Sequence, residues 1–147
     1  MRIPCFFKPG PLEAAYVAAI LESKTLHIYA TLEFLVDTGA TRTTISDKDA
    51  IRLCIDYMTL EKLGEGMLGI GGTVDTYNLK DTKLIFHQEN KKTHEETLER
   101  ICVLKHPQLN ERILRIPSIL GRDILNKYSL IYDKRQEKAY ITDKPTP

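Results

Sequence analysis

Leu32-Glu33-Phe34-Leu35-Val36-Asp37-Thr38-Gly39-Ala40-Thr41 carries an apolar run straight into one carboxylate and a tight glycine turn. A carboxylate beside Phe and Val loses hydration, which disfavours its charged form, so an acid placed here needs compensating donors. Thr38 can supply a hydroxyl beneath the site, and Gly39 permits a backbone geometry that brings an N–H to the carboxylate. Ala40 keeps the turn small enough to pack. The pattern reads as a reactive acid aimed by a rigid strand. The plainer alternative is a strand ending at a solvated turn, and the downstream sequence has to separate the two.

Two further segments follow in order. Met67-Leu68-Gly69-Ile70-Gly71-Gly72-Thr73 lies between stretches able to form strands, so it reads either as a mobile glycine-rich hairpin with one apolar tip residue or as a plain hairpin turn. Ile116-Pro117-Ser118-Ile119-Leu120-Gly121-Arg122-Asp123-Ile124-Leu125 reads as an apolar strand ending in Gly and passing into a short helix. Together the three segments resemble the retropepsins, the single-lobe aspartic proteases, from about Tyr16 to Tyr140. Asp37-Thr38-Gly39-Ala40 matches the catalytic triplet with its small fourth residue, Gly69-Ile70-Gly71-Gly72 the flap tip, and Leu120-Gly121-Arg122 the supporting element behind the catalytic turn.

The chain has 147 residues, enough for one domain with its own core and too few for two lobes. Its 21 basic and 20 acidic residues give a net charge of +1, so no broad electrostatic footprint for nucleic acid or an anionic membrane is expected. Cys5, Cys54 and Cys102 are odd in number and widely spaced, which suits reduced, mostly buried thiols better than a disulfide or metal framework. Ile3-Pro4-Cys5-Phe6-Phe7 is too short and too Pro-interrupted for a signal segment, and no apolar run approaches a membrane span. A cytoplasmic protein is expected.

Residues 1–12 hold three prolines and read as an extended arm whose Phe6 and Phe7 dock on the core or on a partner. Strands are predicted over 14–21 and 25–36, and a short helix over 49–54 with Ser46 as N-cap and Asp49 as its capping partner. Asp47 and Asp49 are thereby read as capping and first-turn charges. Further strands are expected over 73–79, 82–87, 97–104 and 113–120, with a charged turn over 88–96 and a helix over 123–127. A hairpin over 129–133 and 138–142 precedes a polar tail at 143–147. His87 and His94 lack a third ligand at suitable spacing, so no metal is expected.

The resemblance implies an all-β fold with one or two short helices, a closed barrel of the obligate-dimer type, and aspartic endopeptidase activity without metal or organic cofactor. A single Asp-Thr-Gly turn per chain implies that the second carboxylate comes from another copy, in a homodimer that binds an extended peptide. Asp37, Thr38 and Gly39 would then be catalytic. Ala40, Arg42 and the flap residues Gly69, Ile70, Gly71 and Gly72 would contact substrate. The sequence departs from viral members where Thr41 and Arg42 stand in place of acidic residues, leaving Arg122 without its usual partner. Arg42 either reaches the substrate groove or points to solvent and pairs with Asp47 or Asp49. The charged C-terminal hairpin and long N-terminal arm imply a rearranged dimer interface. The alternative from another class is a catalytically silent module of the same fold, used for dimerisation or peptide binding.

Overall fold

The computed structural model describes residues 1–10, 13–69 and 72–144. In chain order the strands are β1 Arg2–Pro4, β2 Phe6–Phe7, β3 Ala15–Ser23, β4 Ile28–Val36, β5 Thr44–Ile45, β6 Glu61–Gly69, β7 Gly72–Leu79, β8 Thr82–His87, β9 Thr93–Leu98, β10 Ile101–Lys105, β11 Ser118–Leu120, β12 Ser129–Asp133 and β13 Lys138–Thr142. Helix α1 spans Asp47–Arg52 and α2 spans Arg122–Leu125, with single 3-10 turns at Tyr57–Thr59, Ile113–Arg115 and Lys134–Gln136. The main sheet runs β6-β7-β10-β5-β11-β4-β3-β8-β9, with β2 added to β3, and curls into a half-barrel. Among the described residues no helix is long and apolar enough to cross a membrane.

Alternation dictates which face each long strand buries. In β3 the side chains of Ala15, Val17, Ala19, Leu21 and Ser23 point inward, and Leu32 and Phe34 of β4 meet them with no solvent exposure. Glu33, between the two, stays outside and pairs with Lys8. Leu84 and Phe86 of β8, Ile101 and Val103 of β10, and Leu120 and Ile124 complete the core.

The N-terminal arm is knitted into both sheets. Strand β1 pairs antiparallel with β13, and β13 with β12, so the two ends of the chain share one three-stranded sheet. Phe6 stacks on Tyr16 with ring centroids 6.1 Å apart, and Phe7 meets Tyr132 edge-on at 5.4 Å. Both docks lie within the same chain. Pro11 and Leu12 of the arm, and 145–147 of the tail, fall outside the described residues.

Several expectations are corrected. The charged turn covers only 88–92, because Asn90 Oδ1 accepts the Lys92 N–H at 3.0 Å and Lys91 takes a left-handed φ of 67°; β9 is already under way at Thr93. The expected strand 97–104 is two strands broken at Glu99-Arg100, since β9 belongs to β8 whereas β10 crosses to β7 and β5. Only Ser118–Leu120 of the expected strand 113–120 is extended in the sheet. Asn110 Oδ1 accepts the Ile113 N–H at 2.9 Å and starts a 3-10 turn, and Pro117 has no N–H to offer a ladder. Helix α1 starts two residues early, and α2 ends two residues early. Cys54, expected among buried thiols, is exposed, because it follows α1 in a left-handed turn at φ 54°.

Ile3 is only 2 % exposed within the core reached by the arm. Replacing it with Ala is expected to lower the unfolding free energy by about 2–5 kcal/mol, the cost of a large-to-small core change. A urea denaturation midpoint shifts accordingly. A change below about 0.5 kcal/mol, typical of surface positions, would show that the arm does not dock there in solution.

Candidate active site

Strand β4 delivers Asp37 at its C-terminal end, where β11 runs parallel to it in the register Phe34–Ser118, Leu35–Ile119 and Val36–Leu120. The Asp37 N–H extends that ladder to the Leu120 carbonyl at 3.1 Å, so the position of the acid is set by backbone pairing before its side chain contributes anything. The turn then closes on itself. Gly39 donates its N–H to Asp37 Oδ1 at 2.8 Å, and Ala40 donates to the Asp37 carbonyl at 3.2 Å. A Cβ on Gly39 would stand 3.1 Å from Asp37 Oδ1, closer than side chains ordinarily approach, and this favours glycine here. Asp37 is half-buried, while Thr38 and Gly39 are exposed. The Thr38 hydroxyl has no partner among the described residues; its carbonyl accepts from Arg122 Nη1 at 2.9 Å.

Behind this turn the chain crosses itself. Residues 41–43 pass so close over Gly121 that a Cβ there would lie 2.5 Å from the Arg42 carbonyl carbon and 2.6 Å from its oxygen. Arg122 donates its N–H to the Ala40 carbonyl at 2.9 Å, and Asp123 donates to Thr41 at 3.2 Å. The Asp123 carboxylate returns the grip, accepting the Thr43 N–H at 2.9 Å and the Thr43 hydroxyl at 2.7 Å. The Gly121 N–H in turn reaches Thr43 Oγ1 at 3.2 Å. Arg122, without an acidic partner among the described residues, spends its guanidinium on the Thr38 carbonyl and on Thr41 Oγ1, the latter at 3.3 Å.

A cavity of about 600 Å³ opens beside the turn. Gly39, Ala40, Thr41 and Arg42 form one side, Leu63, Val74 and Thr76 of the β6–β7 hairpin another, and Cys102 and Leu104 of β10 the floor. The hairpin pairs as far as Gly69 with Gly72 and carries register shifts at Lys62/Gly64 and Glu65/Met67, with Gly64 at φ 112°. Such bulges strengthen twist and bend a hairpin. Ile70 and Gly71, the rest of the expected flap tip, lie outside the described residues.

Sequence reasoning missed the acids of α1. Asp47 is 3 % exposed and holds His106 twice, accepting its backbone N–H at 2.8 Å and facing Nδ1 at 2.7 Å. Burial, followed by the Asp47 and Tyr77 charges, pushes the nearby Tyr57 hydroxyl up to about 12. Asp49 accepts the Ser118 hydroxyl at 2.6 Å, and Ser118 Oγ accepts the Ser46 N–H at 3.0 Å. The expected capping box is therefore absent: the Ser46 hydroxyl faces Asp49 and Ser118 and does not cap the helix backbone. Arg42 is exposed and pairs with neither acid, because Asp49 takes Lys48 and Arg52 instead. No sequence signal marks His106 or Thr43, whose partners Asp47 and Asp123 lie far along the chain, or Arg100, which joins the groove lining from the break between β9 and β10.

His94 is not isolated. Its Nε2 lies 3.0 Å from Glu96 Oε1 and 2.9 Å from the Tyr128 hydroxyl, with Lys127 Nζ 2.9 Å from Glu96 Oε2. Burial pushes the Glu96 carboxyl up, but bonds from Tyr128, His94 and Lys127 outweigh it and hold the group below its usual range. This latch ties β9 to the segment after α2. Among the described residues no three His, Cys, Asp or Glu side chains gather as a metal site.

A family model for retroviral aspartyl proteases matches residues 15–131 of the chain. The chain belongs to this family. A search of curated proteins finds no match. Among solved structures, a retropepsin-like aspartic protease from Rickettsia conorii aligns over 96 % of this chain and 88 % of its own, at 17 % identity and a TM-score of 0.57. The protease of EIAV, solved with an inhibitor, aligns over 81 % of this chain and 91 % of its own, at 22 % identity and a TM-score of 0.46. The mainly β, retropepsin-like fold expected of the sequence is thereby established, with two short α-helices.

Two substitutions test the retropepsin framework. Gly121→Ala sets a methyl against backbone that has no rotamer to yield, so a loss of about 1–3 kcal/mol or more is expected, read as a lowered thermal midpoint by circular dichroism. A midpoint unchanged from wild type would contradict the close crossing. His106→Leu leaves the buried Asp47 carboxylate short of one donor and is expected to cost about 1–3 kcal/mol. Asp47→Asn/His106→Leu together should recover part of that loss, and an equal or larger loss in the double variant would show that the pair is not coupled.

Proposed function

We propose that this protein is an aspartic endopeptidase that hydrolyses peptide bonds as a homodimer, with one Asp37 from each copy forming the catalytic pair. The observation that carries the reading is the half-buried Asp37 carboxylate, held by the Gly39 N–H on one oxygen in a turn whose following residues, Gly39 to Arg42, line an apolar groove. The chain contains one Asp-Thr-Gly turn, so a second acid of the same kind requires a second chain. Exposure of Thr38 and Gly39 supports a contact through the turn itself, in which each Thr38 hydroxyl finds the partner's backbone. The chain's own termini are already paired with each other in the β1-β13-β12 sheet, which supports an interface different from interleaved ends.

Two carboxyl groups a few ångströms apart cannot both ionise, so the pair holds one proton and titrates as a unit. The ionised member removes a proton from water as the water oxygen attacks the scissile carbonyl carbon. The protonated member donates to the carbonyl oxygen, giving a neutral tetrahedral diol. Collapse breaks the C–N bond as the departing nitrogen takes a proton from the protonated member and a diol hydroxyl gives its proton to the other, so the pair is again singly protonated. No step calls on a metal or organic cofactor. The β6–β7 hairpin, with Gly69, Ile70, Gly71 and Gly72 at its tip, acts as a flap over a peptide lying extended in the groove, bonded as an added strand.

Asp37→Asn removes both acids of the dimer at once and is expected to reduce cleavage of a mixed peptide library below detection, with fold and sedimentation unchanged. Wild-type specific activity should fall on dilution as dimers dissociate. Turnover by the Asn variant, or full activity in a species shown by sedimentation to be monomeric, would overturn the proposal.

A further inference from the structure

Arg42 and Arg100 come from distant parts of the chain, the segment after the catalytic turn and the break between β9 and β10, yet both line the groove floored by Cys102. Both also line the adjoining polar recess of about 540 Å³, and so stand where the two spaces meet. Burial holds the Cys102 thiol above its usual range, the two guanidinium groups act in the opposite direction, and the Asp123 carboxylate adds to the rise, in keeping with both cations lying near the groove floor.

Neither arginine forms an ion pair among the described residues, although acids are near. Asp123 shares the recess, but its two oxygens are engaged by Thr43. Glu61 faces Arg100 more remotely and is held by Lys80 at 3.1 Å. Glu99 lines the recess without an ion pair among the described residues, and Lys80, also lining it, adds positive charge. His106, at the groove wall, turns its Nδ1 to Asp47 Oδ1 at 2.7 Å. The groove itself has no Asp or Glu in its described lining. Two guanidinium groups facing one space with no ion-pair partner among the described residues repel each other, and their planar forks match a carboxylate.

We propose that Arg42 and Arg100 form a carboxylate-binding subsite at the junction of groove and recess, so that the protein takes peptides bearing Asp or Glu beside the bond to be cleaved. This rests on the groove being the peptide cleft of the endopeptidase proposed above. Arg42 and Arg100 are specificity residues in this scheme and take no part in proton transfer.

The test uses labelled peptides with an apolar pair at the centre and either Glu or the isosteric Gln at each flanking position. Binding is read by fluorescence anisotropy on the Asp37→Asn protein, and kcat/KM on wild type with the same panel. A Glu peptide is expected to bind about tenfold more tightly than its Gln twin at one or two positions, roughly the worth of a charge-assisted contact. The ratio should shrink as salt rises. In Arg42→Ser/Arg100→Ser, where both replaced side chains are exposed, the ratio should fall to about one. Equal affinity for Glu and Gln peptides, absence of binding by either, or a preference that survives the double substitution would each overturn the subsite. Should Asp37→Asn fail to fold, the Glu-to-Gln ratio of wild-type kcat/KM decides the same question. A Glu preference without Asp37-dependent cleavage would sink the endopeptidase reading alone, and Asp37-dependent cleavage with no Glu preference would sink the subsite alone.

Discussion

The crossing of residues 41–43 over Gly121 is the contact on which the site depends. Backbone meets backbone there with no room for a β-carbon, and the Asp123 carboxylate fastens the two strands by accepting both donors of Thr43. The parallel pairing of β4 with β11 is locked from behind by the same contact, and Asp37 sits one residue beyond the last pair of that ladder. Loosening the crossing would therefore move the acid itself. A reactive group on a loop gains precision only from what holds the loop, and here the hold is mostly main chain.

Helix α1 acts as a second fastening. It is six residues long, too short to be stable alone, and its first turn points two carboxylates into the protein. Asp47 ties it to His106 at the end of β10, and Asp49 ties it to Ser118 at the start of β11. Burying two acids is costly unless each is supplied with donors, and each has at least two. The return is geometric: β10 forms the groove floor, β11 supports the Asp-Thr-Gly turn, and one helix sets the distance between them.

The remainder of the chain is arranged around this frame with decreasing constraint. The β3–β4 pair supplies the core against which the turn is braced, and the β6–β7 hairpin, bulged and glycine-rich, ends the main sheet and lines one side of the groove. The terminal strands close on each other at the far side. The ladder that carries Asp37 and the bulged hairpin that lines the groove are separate elements of the fold.

Local chemistry in the sequence was enough to identify the strand that ends in Asp37, the glycine turn, the glycine-rich hairpin and the apolar strand ending at Gly121, because alternation, turn residues and glycine leave marks within a few positions. The elements that bracket them were legible for the same reason, and the β12–β13 hairpin has the bounds its pattern predicts. What the sequence did not disclose is how distant side chains share donors. Asp47 and Asp49 read locally as first-turn charges of a helix, the reading their position favours, and only the packing of α1 against β10 and β11 turned them inward to His106 and Ser118. Likewise Thr97 to Leu104 has the pattern of one strand, and its division at Glu99-Arg100 follows from two different sheet partners. Arg42 and Arg100 lie 58 positions apart, and nothing near either one announces the other. Periodicity is a property of neighbours along the chain; donor sharing, burial of charge and the lining of a groove are properties of neighbours in space, and these were decided by the tertiary structure.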